Sequence, residues 1–197
     1  MEIKTYVAGP FMTNTYLIIN DKKGIIVDPT IGLEKYIDDI KKINITAILL
    51  THCHIDHIAS AHLFDAPIYM SKIDAINIKD NRINLSNTFG IPFIFPSNNI
   101  IGLDDEVLSL NNLKIECILT PGHTSGGMCF LINDSLFSGD TLFQVGIGRT
   151  DFPTGNMNDL KKSLLKLKCL PKNTKIYPGH GELSTVEFEL KYNHYLK

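Results

Sequence analysis

No two of the four cysteines, Cys53, Cys117, Cys129 and Cys169, form a C-x-x-C pair. Four scattered thiols in a chain of 197 residues are too few for a disulfide framework, so reduced thiols are expected. Long runs of one charge are also missing: 19 basic and 21 acidic residues leave a formal net charge of -2. That balance argues against a nucleic-acid or membrane-surface footprint and favours a small-molecule partner. The N-terminal "MEIKTYVAGPF" lacks a basic start followed by an apolar stretch, and nowhere do the roughly 18 apolar residues of a membrane span run uninterrupted. A soluble, cytoplasmic protein is expected, monomeric or homodimeric. With 44% hydrophobic residues it can bury one sizeable core, and residues 1–197 are expected to form a single domain.

What is present is histidine in one place. The stretch "LLTHCHIDHIAS", residues 49–60, holds His52, His54, Asp56 and His57 directly after the apolar run "ITAILL", which reads as a buried strand ending near Thr51. At a strand-like end, residues two apart share a side, so His52 and His54 can reach one metal ion. Asp56 and His57, at the turn into a following helix, can face a second ion or the other side of the first. Imidazole and carboxylate together suit zinc, iron or manganese rather than calcium or magnesium, which prefer all-oxygen shells.

A complete site needs further ligands, and they are expected at other strand ends. His123 follows the predicted strand "IECILT", Asp140 ends "LFSGD", and His180 follows "KIYPG". Each is flanked by glycine, which lets backbone pass close to an ion. His62 and His194 fall in predicted helices and are read as non-ligands. Strand alternation turns Cys53 away from the ion.

The remaining elements alternate. "TYLIINDKKGIIVDP" reads as a hairpin with Gly24 available for a positive φ. "IGLEKYIDDIKKI" and "IASAHLF" read as helices and "APIYM" as a strand. "SKIDAINI" reads as a helix opened by Ser71. "EVLSL", "LKIECILT", "MCFLIND", "SLFSGD" and "TKIYPG" read as strands, "LKKSLLKLKCL" as a helix started by Asn156 or Asn158, and "LSTVEFELKYNHYL" as a closing helix. Residues 81–102 show no clean period; within them the Phe-rich segment 85–95 suits a lid, a wall for an acyl group, burial in the core or a subunit contact. "YLIINDKKGIIVD" and "CFLINDSLFSGD" share a pattern of strand, Asn-Asp, turn, strand and aspartate, ending at Asp28 and Asp140. Either two similar halves each contribute a sheet with helices outside, or two hairpins are alike by chance.

"THCHIDH" resembles the T-H-x-H-x-D-H signature of the metallo-β-lactamase superfamily, and "GHT", "SGDTLF" and "YPGHG" follow in that family's order. The resemblance implies an α/β (α+β) fold, the αββα sandwich of two face-to-face mixed β-sheets with outer helices. It also implies one ion on His52, His54 and His123, a second on Asp56, His57 and His180, and Asp140 bridging both. "GDTLFQVGIGRTDFPTG", residues 139–155, and "YPGHGELSTVEFELKYN", residues 177–193, are similar to the glyoxalase II branch, especially its short bacterial members without a C-terminal glutathione-binding domain. The chain has Asp28-Pro29-Thr30 and Asn193-His194 where that group usually has Asp-Pro-Gly and Asn-Pro; Asp28 is expected to be structural, beneath the site.

What this implies is thioester hydrolysis, with S-lactoylglutathione cleaved to lactate and glutathione in methylglyoxal detoxification. The expected cofactors are two divalent ions, zinc, with iron or manganese as alternatives. Asp56 and Asp140 are the expected catalytic carboxylates, and a hydroxide bridging the ions is the expected nucleophile. Arg149 and Asp151 are read as substrate-binding, or as a structural ion pair shaping their loop. Rival readings on the same fold are a mononuclear-iron persulfide dioxygenase and a lactonase or other ester hydrolase.

Overall fold

A computed structural model describes residues 1–91, 93–95 and 99–197. Pro92 and residues 96–98, part of the stretch without a clean period, lie outside the described residues. The first sheet is formed by β1 (Glu2–Ala8), β2 (Thr13–Asn20), β3 (Lys23–Val27), β4 (Asn44–Leu49), β5 (Ile68–Ser71) and β6 (Ile100–Leu103), hydrogen-bonded in that order. Its first three strands are antiparallel and the rest run parallel to β3. The second sheet contains β7 (Glu106–Leu110), β8 (Leu113–Leu119), β9 (Met128–Ile132) and β10 (Ser135–Gly139). After a separate ribbon of β11 (Leu142–Phe143) and β12 (Gly146–Ile147), that sheet is completed by β13 (Lys175–Pro178) and β14 (Ser184–Thr185). Its order is β14-β13-β10-β9-β8-β7, with β13 parallel to β10.

Consecutive strand residues face opposite sides, and here both sides are covered, which explains the near-continuous apolar runs. Tyr16, Ile18, Val27 and Leu49 of the first sheet meet Leu113, Ile115, Phe130 and Phe137 of the second, between the sheets. Leu17, Ile26 and Ile48 point the other way, against Leu33, Ile40, Ile55 and Ile58 of the flanking helical segments. Behind the second sheet, Leu136 and Ile176 pack on Leu160, Leu164 and Leu167 of α4 (Met157–Lys168). Burying each such leucine contributes about 1.5–3 kcal/mol. Two mixed sheets with outer helices are thus the αββα architecture expected from the sequence.

Local details depart from expectation where tertiary contacts override pattern. The β2–β3 hairpin turns on Asp21 and Lys22, both at positive φ (49° and 64°), a two-residue turn whose twist matches the strands. Gly24 serves instead inside β3, where an added Cβ would lie 2.6 Å from Ile45 Cδ1. The segment read as one helix after the histidines is two pieces, α2 (Ile55–Ile58) and a 3₁₀ turn at Ala61–Leu63. Residues 33–40 are likewise a 3₁₀ turn running into α1 (Ile37–Ile40). Ser71 does cap α3 (Lys72–Asn77), accepting from the Asp74 N–H, and Asn156 rather than Asn158 caps α4, accepting from the N–H groups of Asn158 and Asp159. α5 (Val186–Tyr192) stops at Asn193, short of the predicted end. The edge strands β1 and β6 went unforeseen.

The internal echo is structural. Hairpins β2–β3 and β9–β10 are each antiparallel, and the second strand of each is flanked by a parallel strand, β4 or β13. Asp28 and Asp140 each follow immediately on the second strand of a pair.

Candidate metal centre

The loops that follow β4, β8, β10 and β13 converge, and they carry every ligand named from the sequence. His52, His54 and His123 offer ring nitrogens that all lie within 4.8 Å of one another, and Asp56, His57 and His180 form a second such set. Within the first, His54 Nδ1 and His123 Nε2 are 2.8 Å apart. Within the second, Asp56 Oδ2 lies 3.4 Å from His57 Nε2 and 3.3 Å from His180 Nε2. Asp140 stands between the sets: its Oδ2 is 3.4 Å from His123 Nε2 and 3.5 Å from His180 Nε2, and its Oδ1 is 3.4 Å from His57 Nε2. All are buried except Asp140 and His180, which are partly buried. His62 and His194 stay outside both sets, and buried Cys53 packs into the core behind the loop.

The far side of these rings is tied down. His123 Nδ1 donates to the Arg149 carbonyl (2.7 Å) and His180 Nδ1 to the Phe11 carbonyl (3.1 Å), so in each ring Nε2 is the nitrogen turned toward the cluster. Thr13 Oγ1 donates to Asp56 Oδ2 at 2.9 Å. Asp28 also lies within ligand reach of His52 and His57, but its oxygens are taken. Oδ1 accepts from the Thr51 N–H, and Oδ2 accepts from the Thr51 hydroxyl and from His57 Nδ1 at 2.9 Å. Asp28 therefore orients a ligand rather than acting as one, as expected from the sequence. Since such outer partners are worth about 10–100-fold in metal affinity, Asp28→Ala is expected to weaken metal binding by that factor in a chelator-competition titration. An unchanged affinity would contradict this role.

Electrostatics prepare the same place for cations. Burial holds the His52 and His54 imidazoles neutral, His54 down to about 3, which leaves lone pairs to share. Burial disfavours charge on His57 and His180 as well, yet the neighbouring carboxylates raise His57 to about 9 and His180 to about 11. Against the effect of burial, His57 and His180 in turn hold Asp56 at about 2 and Asp140 well below the carboxylate range. Cations entering here would compete with protons for the imidazoles. His52 Nε2 and Asp140 Oδ1 are buried without a hydrogen bond, and such atoms cost about 1–3 kcal/mol each when left unpaired. A bound divalent metal ion fits this donor set.

A family model described as the metallo-beta-lactamase superfamily matches residues 8–180. The chain belongs to the metallo-beta-lactamase superfamily. It is 36% identical over 199 residues to the probable metallo-hydrolase YqgX of Bacillus subtilis (strain 168), covering 95% of this chain and 94% of that one. Among solved structures, BLEG-1 B3 metallo-beta-lactamase superposes with a TM-score of 0.91 at 33% identity, covering 99% of both chains. TTHA1623, crystallised in a di-iron-bound form, gives 0.87 at 28% identity, over 98% of this chain and 100% of that one.

On this metallo-beta-lactamase scaffold His54, His123, Asp56, His180 and Asp140, from both ligand sets, floor a cleft of about 560 Å³. Phe11, Leu85, Phe89, Phe143, Ile147 and Phe152 form its walls, and Arg149 sits on its rim. Among the described residues of the 85–95 segment, Leu85 and Phe89 reach the cleft, whereas Phe95 is buried in the core. The sequence-predicted pair Arg149 and Asp151 comes together as a bidentate ion pair, both contacts 2.6 Å, with the guanidinium 4.1 Å over the Phe152 ring.

Two buried carboxylates escaped the sequence reading. Asp74 Oδ2 accepts from the Cys53 N–H (3.1 Å) and the Thr124 hydroxyl (2.7 Å), joining the His52–His54 loop to the His123 loop. Glu189 accepts from the Val145 N–H (2.9 Å) and from Asn193 Nδ2 (2.8 Å), and so holds Val145 at φ 56° in the turn between Phe143 and Ile147. The glycines beside the ligands were legible. At Gly122, with φ 145°, a Cβ would lie 2.4 Å from Leu160 Cα, and at Gly179 it would lie 2.2 Å from Asp140 Oδ1.

Proposed function

We propose that this metallo-hydrolase holds two divalent ions and cleaves thioesters. The observation that carries the reading is the position of Asp140, with one oxygen facing His123 and His180 together and the other facing His57. His52, His54 and His123 would hold one ion, Asp56, His57 and His180 the other, and Asp140 both. When bound, such ions polarise a carbonyl oxygen and lower the pKa of a water toward neutrality. The protein's own contribution is placement. Asp28 and the Phe11 and Arg149 carbonyls fix the imidazoles, Asp56 and Asp140 remain anionic near neutral pH, and the apolar walls exclude bulk water from the reacting carbonyl.

The motif resemblance to glyoxalase II makes S-lactoylglutathione the first substrate to try, and the ligand types make zinc the first metal, with iron or manganese next. The deciding experiment measures metal per chain by elemental analysis alongside hydrolysis of thioesters by the same preparation. Near two ions with turnover is expected. One iron, no hydrolysis, and oxygen uptake with a persulfide would move the protein to dioxygenase chemistry.

A further inference from the structure

The walls of the cleft say more about the substrate than its floor does. Among the described residues lining it, Arg149 is the one lysine or arginine, and the Nε–Nη2 edge of its guanidinium is taken by Asp151. A glutathione thioester brings two carboxylates, which call for unpaired cations or bidentate arginine. To bind a carboxylate bidentately through that edge, Arg149 would first have to leave an anion that already matches its geometry. Asp151 also adds negative charge at the rim, next to Phe152.

The rest of the lining is apolar and braced. Phe11 and Phe89 pack with ring centroids 4.6 Å apart on one side, and Phe152 lies under Arg149 on the other. Each side is referred back to a ligand ring, Phe11 through its carbonyl on His180 and the Arg149 loop through its carbonyl on His123. Such walls reward aliphatic and aromatic surface and give nothing to a hydroxyl such as that of a lactoyl group.

The geometry points to a thioester whose acyl group is aliphatic or aromatic and whose thiol part carries no carboxylate. This inference rests on the thioesterase reading and narrows its substrate. Water adds to the acyl carbon, the carbon–sulfur bond breaks, and the thiol and the carboxylic acid leave, with no redox partner needed.

The test uses the purified, metal-loaded protein and a series of N-acetylcysteamine thioesters, acetyl, butanoyl, hexanoyl and phenylacetyl, beside S-lactoylglutathione. The expected kcat/KM rises about fourfold per methylene buried, with S-lactoylglutathione at least about tenfold below the best of the series. Equilibrium binding of the uncleavable thioether analogues should rank in the same order. Phe89→Ala should flatten the chain-length dependence, and Asp151→Asn, by releasing Arg149, should lower KM for S-lactoylglutathione. A flat series, or S-lactoylglutathione as the best substrate, would overturn the inference and leave the thioesterase reading standing. Failure to cleave any thioester would overturn both.

Discussion

Asp140→Ala is expected to abolish measurable hydrolysis and to lower metal content per chain. Partners one bond removed from a metal already cost about 10–100-fold when lost, so a carboxylate shared between both ligand sets must cost at least about 100-fold in kcat/KM. The variant should fold. Asp140 Oδ1 packs against Gly179, and its loss opens a small hole rather than a clash. It also leaves His57 and His180 with one fewer anion, which favours neutral imidazoles but removes the group that would tie the two ions together. Asp140→Asn separates shape from charge, since the amide keeps the volume and supplies no anion; it too should lose metal. Wild-type turnover in either variant would sink the two-metal assignment.

The second large effect is on stability. The ligands come from the loop after β4 in one sheet and the loops after β8, β10 and β13 in the other, so bound ions would join the two sheets across their shared end. A ligand present at about a thousand times its Kd stabilises the folded state by about 4 kcal/mol, and in a chain of this size each kcal/mol moves Tm by about 2–4 °C. Exhaustive chelation is therefore expected to lower Tm by roughly 8–16 °C, with restoration on adding back zinc. A melting curve that does not move, once elemental analysis shows the metal is gone, would refute the coupling of metal to the sandwich.

The ligand set was legible because it is written in short-range spacing: His52 and His54 two apart at a strand end, and His123, Asp140 and His180 beside glycines that the packing does require. The repeated hairpin pattern was legible for a similar reason, since a strand, turn and strand lie within a dozen or so residues. Asp74 and Glu189 were not, because each sits on a short helix where a lone acid reads as a solvated face. Only the fold reveals that Cys53, Thr124 and Val145 aim their donors at those acids. The turn residues were misread because Gly24 advertises positive φ, while its strand needs it for the approach of Ile45. β1 was missed because its first residues are exposed or half-exposed at the edge of the sheet. Arg149 and Asp151 were flagged as substrate-binding or as an ion pair; the geometry shows the pair.

The rings of His123 and His180 are oriented by main-chain carbonyls, those of Arg149 and Phe11. Any amino acid supplies a carbonyl. The side chains at these two positions can therefore change by mutation without disturbing the rings they support, and the walls of the cleft can drift in size and polarity while the chemistry beneath stays intact. A lineage built this way can change a wall residue at either position while the metal-facing rings keep their orientation.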